Sequence, residues 1–160
     1  MILSGHLCLT RNRRGQNMTP GYWNHAAIVA DGPAGLCVVE IQRDFAQVTA
    51  FRVEPFLRRY PEWMVLAPKT GRDAADIAVQ RAGRPNLWTF LPIRRRDVIS
   101  AEWGRDNGVS FLRRCCWAAT GHDYGWITPD DIASEGFCPV DRFSDPNWSP
   151  PTDKWDGRLT

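Results

Sequence analysis

The sequence is poor in lysine, in long apolar runs and in paired cysteines. Of its 20 basic residues only Lys69 and Lys154 are lysines, and 18 acidic residues leave a net charge of +2 at pH 7. This near balance argues against a protein that binds nucleic acid by charge alone. No apolar run is long enough to span a membrane, and no basic segment precedes the apolar N-terminal stretch. We therefore expect no membrane span, no signal peptide and a cytoplasmic or virion-associated location.

The cysteines lack the spacing of a zinc site or of a disulfide framework. There are five, an odd number, and no two of them are separated by two residues. They are Cys8, Cys37, Cys115, Cys116 and Cys138. We therefore expect reduced thiols, and neither a metal nor another cofactor.

Length and composition predict one folded domain followed by an arm. A chain of 160 residues with 43% hydrophobic content can bury a core of its own. The C-terminal segment is rich in proline and tryptophan, which is typical of an extended chain packed by its aromatic rings. We assign residues 1–140 to the domain and 141–160 to an extended arm without regular structure, through which a protein partner could bind.

A predicted hairpin brings a histidine and a glutamate together. His25 begins an apolar, β-prone run that ends at Val29, and Val38-Val39-Glu40-Ile41 follows after the turn signal Asp31-Gly32-Pro33. If the two strands pair, His25 and Glu40 come close enough to form the base and the orienting acid of a nucleophilic site. Each residue alone is more often structural, so the hypothesis depends on their pairing.

Capping signals and periodicity predict the remaining elements. Asn107 is a good N-cap for a helix over 108–119, from which Arg113 and Arg114 are expected to face solvent. Thr128 precedes a proline in a capping-box pattern and predicts a further helix start. The other predicted elements are strands over about 2–10, 25–30, 36–42, 46–53 and 63–67, helices over 54–60 and from Asp73 to Gly83, and a loop over 87–105.

Three segments carry a family resemblance. They are Trp23 to Val29, Val38 to Glu40, and the helix from Asn107 that leads through Gly125-Trp126 to Thr128-Pro129-Asp130-Asp131-Ile132. Together they resemble the circularly permuted branch of the NlpC-type, papain-fold thiol hydrolases, which includes lecithin retinol acyltransferase-like proteins. The resemblance covers roughly residues 2–140 and implies an α+β fold, a mostly antiparallel sheet packed on a core helix in the permuted papain-like arrangement. It also implies that His25 is the base, that Glu40 orients it, and that the Thr-Pro-Asp-Asp helix closes the site.

The position of the family's nucleophile is occupied here by glycine. Family members carry their cysteine in the first turn of the core helix, where the helix dipole favours the thiolate, and that position falls at Gly108. Cys115 and Cys116 are alternative nucleophiles, about two turns further along the helix. Only 13 positions separate Cys115 from Thr128, against 20 for Gly108, and a full helix with its return loop needs the longer interval. Ser110 is a weaker alternative nucleophile.

The resemblance implies amide or ester acyl chemistry. In an active relative a thiolate attacks the carbonyl and His25 moves the proton, on substrates such as cell-wall peptides or acyl lipids. With glycine at position 108, we expect a hydrolase-like domain whose catalysis is lost or impaired. The alternatives are a hydrolase that uses Cys115 or Cys116, and a structural or binding module such as a phage virion or tail component.

A nucleic-acid-binding protein is the least favoured interpretation. Arg94-Arg95-Arg96, with Trp88 and Trp103 nearby, could form a basic patch with stacking aromatic rings. A solvated basic loop explains the same residues more simply, because acidic residues occur throughout the chain.

Overall fold

A computed structural model of the protein describes residues 1–12, 21–100 and 102–160. One antiparallel sheet of six strands forms its centre, and the fold is α+β. The strands are β1 (Leu7–Arg11), β2 (His25–Gly32), β3 (Gly35–Ile41), β4 (Val48–Arg52), β5 (Glu62–Ala67) and β6 (Cys138–Ser144), in the order β4-β3-β2-β1-β5-β6. The helices are α1 (Val53–Arg58), α2 (Gly71–Arg81), α3 (Arg95–Ile99), α4 (Gly108–Thr120) and α5 (Pro129–Ala133).

Both faces of the central strands are buried. Alternate residues of a strand point to opposite faces, and in β2 one set, Ala26, Ile28 and Ala30, packs in the same core as α4. The other set, Ala27 and Val29, packs in a second core. The second core also contains Cys8, Val38, Phe51, Phe56, Leu57 and Val65. Burial on both faces explains why β2 and β3 are almost continuously apolar rather than alternating.

Helix α4 begins and ends where the capping signals predict. The Asn107 side chain accepts a hydrogen bond from the Ser110 backbone N–H at 3.0 Å, and the Ser110 hydroxyl accepts one from the Asn107 N–H at 2.9 Å. Gly121 ends the helix with φ of 71°, a left-handed conformation that suits glycine. This reciprocal cap fixes the direction from which α4 meets the sheet.

The predicted exposure of Arg113 and Arg114 is wrong. Both are 5% exposed, because α4 is covered on several sides rather than on one face. Arg113 donates two hydrogen bonds to the carboxylate of Asp123, at 2.6 and 2.8 Å. Arg114 donates to Asp106 at 2.8 Å. Buried carboxylate partners allow the two arginines to lie in the interior.

Two elements differ from the expected course of the chain. Helix α3 lies within the predicted loop over 87–105, where burial of Val98 holds a short turn of helix against α4. Strand β6 crosses the expected boundary between residues 140 and 141, so the first part of the arm is a strand rather than irregular chain. Pro139 counts against a strand in sequence terms, but β6 is an edge strand, where proline is tolerated.

The end of the arm runs along the opposite edge of the sheet. The Leu159 backbone N–H donates to the Ala50 carbonyl at 2.8 Å, and the Arg52 N–H donates to the Gly157 carbonyl at 2.9 Å. The arm therefore pairs with the backbone of β4, which would otherwise be an open edge. None of the described helices is long and apolar enough to cross a membrane.

Candidate active site

His25 and Glu40 lie side by side on neighbouring strands. His25 is the first residue of β2, and Glu40 is near the end of β3, which pairs with β2 through the register Ile28 to Val39. The Nε2 atom of His25 is 2.6 Å from Oε2 of Glu40. The Glu40 side chain is fully buried and that of His25 is 18% exposed. The pair therefore reaches from the protein interior to its surface.

Glu40 is held by further partners that keep it ionised. Its Oε1 accepts a hydrogen bond from Arg59 at 2.7 Å, and its Oε2 accepts one from Gln42 at 2.9 Å. Burial alone would raise the pKa of Glu40, but the charge of Arg59 and the hydrogen bond with His25 outweigh burial, so the pKa is lower than usual. Because ionised Glu40 has no proton to give, Nε2–H of His25 is the donor. In the neutral ring, Nδ1 is then the basic nitrogen.

Arg59 is itself a buried part of this cluster. Its guanidinium carbon lies 4.2 Å from the ring centre of Phe51 and 4.6 Å from that of Phe56. Trp155, from the C-terminal arm, lies on the same guanidinium at 5.4 Å. These rings shield the ion pair between Arg59 and Glu40 from water, so the charge that holds Glu40 is supported by the second core.

Tyr60 adds a neutral phenol beside the pair. Its hydroxyl accepts a hydrogen bond from Gln42 at 3.2 Å. Burial, together with the negative charge of Glu40, raises the pKa of Tyr60 to about 12. Tyr60 is therefore protonated at neutral pH and is not a nucleophile there.

The His25 ring reaches the beginning of α4. Strand alternation puts Glu40 on the face of the second core, away from α4, because its neighbour Val39 packs in the core that contains α4. His25 is the first residue of β2, and its ring nevertheless also approaches α4. A Cβ atom built on Gly108 would lie 3.3 Å from Cε1 of the ring. The structure thus brings together the three predicted positions 25, 40 and 108.

Position 108 has no room for a side chain. The same Cβ atom would overlap the carbonyl oxygen of Ala26, a backbone atom within β2. Real Cβ atoms do not approach a carbonyl this closely, so any larger residue must displace α4 or β2. Glycine at position 108 is therefore a packing requirement of this structure and not only a missing thiol.

The alternative nucleophiles lie outside the cleft that contains His25. Cys115 and Cys116 belong to the core that contains α4, and burial raises the pKa of both thiols, that of Cys116 to about 12. Ser110 is 2% exposed, and its hydroxyl donates to Asp106 at 2.8 Å. None of the three lines the cleft. Two are inert packing residues, and Ser110 serves the helix cap.

The cleft beside His25 is small and mixed in character. Its volume is about 190 Å³. Apolar groups come from Ile41, Val109, Trp88, Phe90 and Pro129, and polar groups from Asn12, Asn24, Gln42, Tyr60 and Asn107. An apolar wall with a few convergent polar groups is typical of a site for a small organic group or a short chain segment.

The Thr-Pro-Asp-Asp segment positions the strand that carries His25. The Asp131 side chain accepts hydrogen bonds from the backbone N–H groups of Ile127 and Thr128, at 2.7 and 2.8 Å, and completes the predicted cap of α5. The Asp130 carboxylate accepts from the backbone N–H groups of Tyr22 and Trp23, at 2.7 and 2.8 Å. These two bonds fix the chain immediately before His25.

Two of the residues that hold Glu40, Gln42 and Arg59, were not among the predicted site residues. Gln42 is two positions beyond Glu40, directly after the last residue of β3 and within the strand predicted over 36–42, so the strand period could have identified it. Arg59 offers no such signal. It lies beside Arg58, which is exposed, and only the packing of α1 distinguishes the two arginines.

Comparison with known proteins identifies a fold and no family. No protein-family profile and no curated protein sequence matches this chain. Among solved structures, the chain is similar to the metalloprotein YiiX from Escherichia coli O157:H7, described as DUF1105, with a TM-score of 0.62. The match has 12% sequence identity and covers 88% of this chain and 97% of YiiX. At this identity the likeness shows a shared fold alone.

The metal of that neighbour has no counterpart in the side chains described here. Across residues 1–12, 21–100 and 102–160, no three His, Cys, Asp or Glu side chains are grouped so that they could hold a metal ion. His25 and Glu40 are bonded to each other, and the groups that approach the remaining lone pairs of Glu40 are the guanidinium of Arg59 and the amide N–H of Gln42, both hydrogen-bond donors. The described residues do not fit a metal centre.

Proposed function

We propose that this chain is a permuted NlpC-type, papain-fold domain that binds a peptide or acyl group without cleaving it. One observation carries the proposal. The position of the family's thiol adjoins the His25 ring, yet Gly108 lies so close to the Ala26 carbonyl that no side chain fits. Hydrolysis of this type needs a base and a nucleophile. Here the base and its orienting acid are present, and the described residues place no thiol in the cleft.

The chemistry of the cleft supports an amide or ester group as the ligand. Nδ1 of His25 can accept a hydrogen bond from an amide N–H, because Glu40 holds the proton on Nε2. The Asn24 and Asn107 side chains lie on the same cleft, and Trp88 and Phe90 form an apolar wall for an attached chain. Apolar contact with a few orienting polar groups is sufficient for binding.

Acyl transfer to the protein is the first test. The purified protein is incubated with p-nitrophenyl acetate, and nitrophenol release and the intact protein mass are followed. We expect the acyl adducts and the rate of nitrophenol release to be the same in the wild type and in His25→Ala. An acyl adduct or nitrophenol release that is lost in His25→Ala would contradict the proposal.

Substitution of Gly108 tests the observation directly. We expect Gly108→Cys and Gly108→Ala to lower the free energy of unfolding alike, by about 1–3 kcal/mol, because either Cβ must displace backbone. Ala118→Cys is the matched control: it puts a thiol at an exposed position of the same helix and is expected to change stability by less than about 0.5 kcal/mol. If Gly108→Cys and Gly108→Ala are as stable as the wild type, position 108 is open and the observation that carries the proposal is wrong.

Binding itself is measured with short N-acyl peptide amides. Nuclear magnetic resonance shifts of the cleft residues should respond to the ligand in the wild type and not in His25→Ala. A variant at the opposite end of the strands from His25, Lys69→Gln, should bind as the wild type does, since Lys69 is exposed and follows the end of β5 that lies away from the cleft. A response that is the same in all three proteins would show that the ligand does not use this cleft.

A further inference from the structure

The loop of residues 87–93, here called the apolar loop, exposes three large apolar side chains close together. Leu87 is 62% exposed, Phe90 68% and Leu91 62%. Single exposed apolar residues are common on protein surfaces. A contiguous group is not, and usually marks a surface that is covered in use.

The apolar loop is anchored at both ends. At its beginning the Leu87 N–H donates to the Gly104 carbonyl at 2.7 Å, and the neighbouring Asn86 side chain makes two hydrogen bonds of 3.1 Å with the backbone of Asp106. At its other end the Ile93 carbonyl accepts from the buried Arg113 at 3.0 Å. The exposed side chains are therefore carried on a loop whose ends are fixed.

Arginines follow the apolar loop directly. Arg94, Arg95 and Arg96 are all exposed; Arg96 is 3.7 Å from Asp97, and the charge of Arg95 helps to lower the pKa of Asp123. Arg94 also shares a surface groove with Leu91 and with the exposed Arg105. The acids Asp97 and Glu102 line the same groove. Binding to an anionic membrane surface has two components: exposed apolar side chains that enter the bilayer, and neighbouring cationic side chains that contact the headgroups. The apolar loop and the arginines after it supply both.

We propose that the apolar loop inserts Leu87, Phe90 and Leu91 into the surface of an anionic lipid bilayer while Arg94, Arg95 and Arg105 contact the lipid headgroups. Two observations favour a membrane over other partners. A second copy that docked through this loop would bring its arginines against those of the first. Two of the three exposed tips are aliphatic and cannot stack on nucleic-acid bases, as aromatic rings do.

This surface adjoins the candidate active site. Trp88 and Phe90, from the same loop, line the cleft that contains His25. A protein docked in this way would present the cleft to the bilayer surface. The proposal rests on the exposure and charge of the loop, and it stands whether or not the cleft binds a ligand.

Vesicle flotation tests the proposal. The full chain is mixed with vesicles of phosphatidylcholine alone or of phosphatidylcholine with phosphatidylserine. We expect binding to the anionic vesicles that weakens in high salt. Phe90→Ser with Leu91→Ser should weaken it at least about tenfold, because two apolar side chains no longer leave water. Arg94→Gln with Arg95→Gln should weaken it by roughly fivefold for each arginine.

Matched variants separate the loop from general surface effects. Leu3→Ser with Phe143→Ser removes the same pair of residue types from exposed positions elsewhere, 51% and 40% exposed. Arg58→Gln with Arg142→Gln removes two other arginines whose side chains are 61% exposed. Both double variants should bind vesicles as the wild type does.

Three results would overturn the proposal. The first is wild-type protein that does not float with anionic vesicles. The second is binding that Phe90→Ser with Leu91→Ser leaves unchanged in a folded protein, as judged by its thermal unfolding. The third is binding to a DNA oligonucleotide, or self-association, that competes fully with the vesicles, which would assign the loop to nucleic acid or to a second copy of the chain.

Discussion

Glu40 and Asp106 form two buried clusters that are built alike and end differently. Both carboxylates are at most 1% exposed, and each accepts a hydrogen bond from a buried arginine, Arg59 at 2.7 Å and Arg114 at 2.8 Å. The two clusters differ in their next partner. For Glu40 it is His25, whose ring reaches a cleft; for Asp106 it is Ser110, whose hydroxyl completes the cap of α4.

The Asp106 cluster has a structural role, whereas the Glu40 cluster also contacts a side chain that can take part in chemistry. A buried carboxylate with its arginine is a costly arrangement in either place. At Asp106 it holds the start of α4, and its arginine also donates to the Asp97 carbonyl in α3. At Glu40 the same arrangement also sets the proton on a histidine at the surface. The candidate function therefore depends on the third residue of the cluster rather than on the buried ion pair.

Removal of either arginine should have the largest effect, and the effect should be the same in both clusters. Arg59→Met and Arg114→Met each leave a buried carboxylate without its cation, and we expect each to lower the free energy of unfolding by about 3–5 kcal/mol. Urea denaturation measures this. The control is Arg58→Met, since Arg58 is exposed and its pair with Glu54 at 3.7 Å is worth less than about 1 kcal/mol.

Acid should weaken the Glu40 cluster. The pKa of Glu40 is lower in the folded protein than in the unfolded chain, where it is about 4.3. Its contribution to stability is therefore present above pH 4.3 and is lost as the pH falls through the folded pKa. Glu40→Gln should be less stable than the wild type at neutral pH, and its stability should fall less steeply below pH 4.3. Parallel profiles for the two proteins would contradict the ionised state of Glu40.

Removal of the third residue of each cluster, His25 or Ser110, should lower the free energy of unfolding less than removal of the arginine. Only removal of His25 should affect binding in the cleft. His25→Ala and Ser110→Ala each remove a hydrogen bond to a carboxylate that keeps its arginine, and we expect losses of about 1–2 kcal/mol in denaturant unfolding. Ser110→Ala should still bind an N-acyl peptide amide, and His25→Ala should not. Loss of binding in both variants would mean that the clusters are not separate.

The smallest expected effect concerns the thiols of α4. Burial raises the pKa of Cys115, with smaller contributions from the charges of Cys116 and Asp106, and burial alone raises that of Cys116. With a thiol reagent at neutral pH, mass spectrometry should find modification at the exposed Cys138 and little at either cysteine of α4. His25→Ala should not change this pattern. Rapid labelling of Cys115 that requires His25 would restore it as a nucleophile.

Much of the fold could be predicted because its signals are local. The apolar runs of β2 and β3 and the caps at Asn107 and Thr128 each depend on residues a few positions apart, and the structure has all four elements. Strand β6 was missed because its pairing with β5 joins segments far apart in the sequence. The burial of Arg113 was missed for a different reason: its partner Asp123 lies beyond the end of the helix, where helical periodicity gives no information.

In the candidate site, too, contacts between residues close in the sequence could be predicted, and contacts between distant segments could not. The sequence by itself was enough to predict that His25 and Glu40 are close, because a short hairpin turn limits which residues of the two strands lie near each other. Only the tertiary structure decided that Arg59 holds Glu40 ionised and that Gly108 lies against the Ala26 carbonyl. These contacts depend on how closely a helix and a strand from distant parts of the chain approach each other. Since a change of a few tenths of an ångström decides whether a Cβ atom fits, spacing along the sequence does not determine that distance.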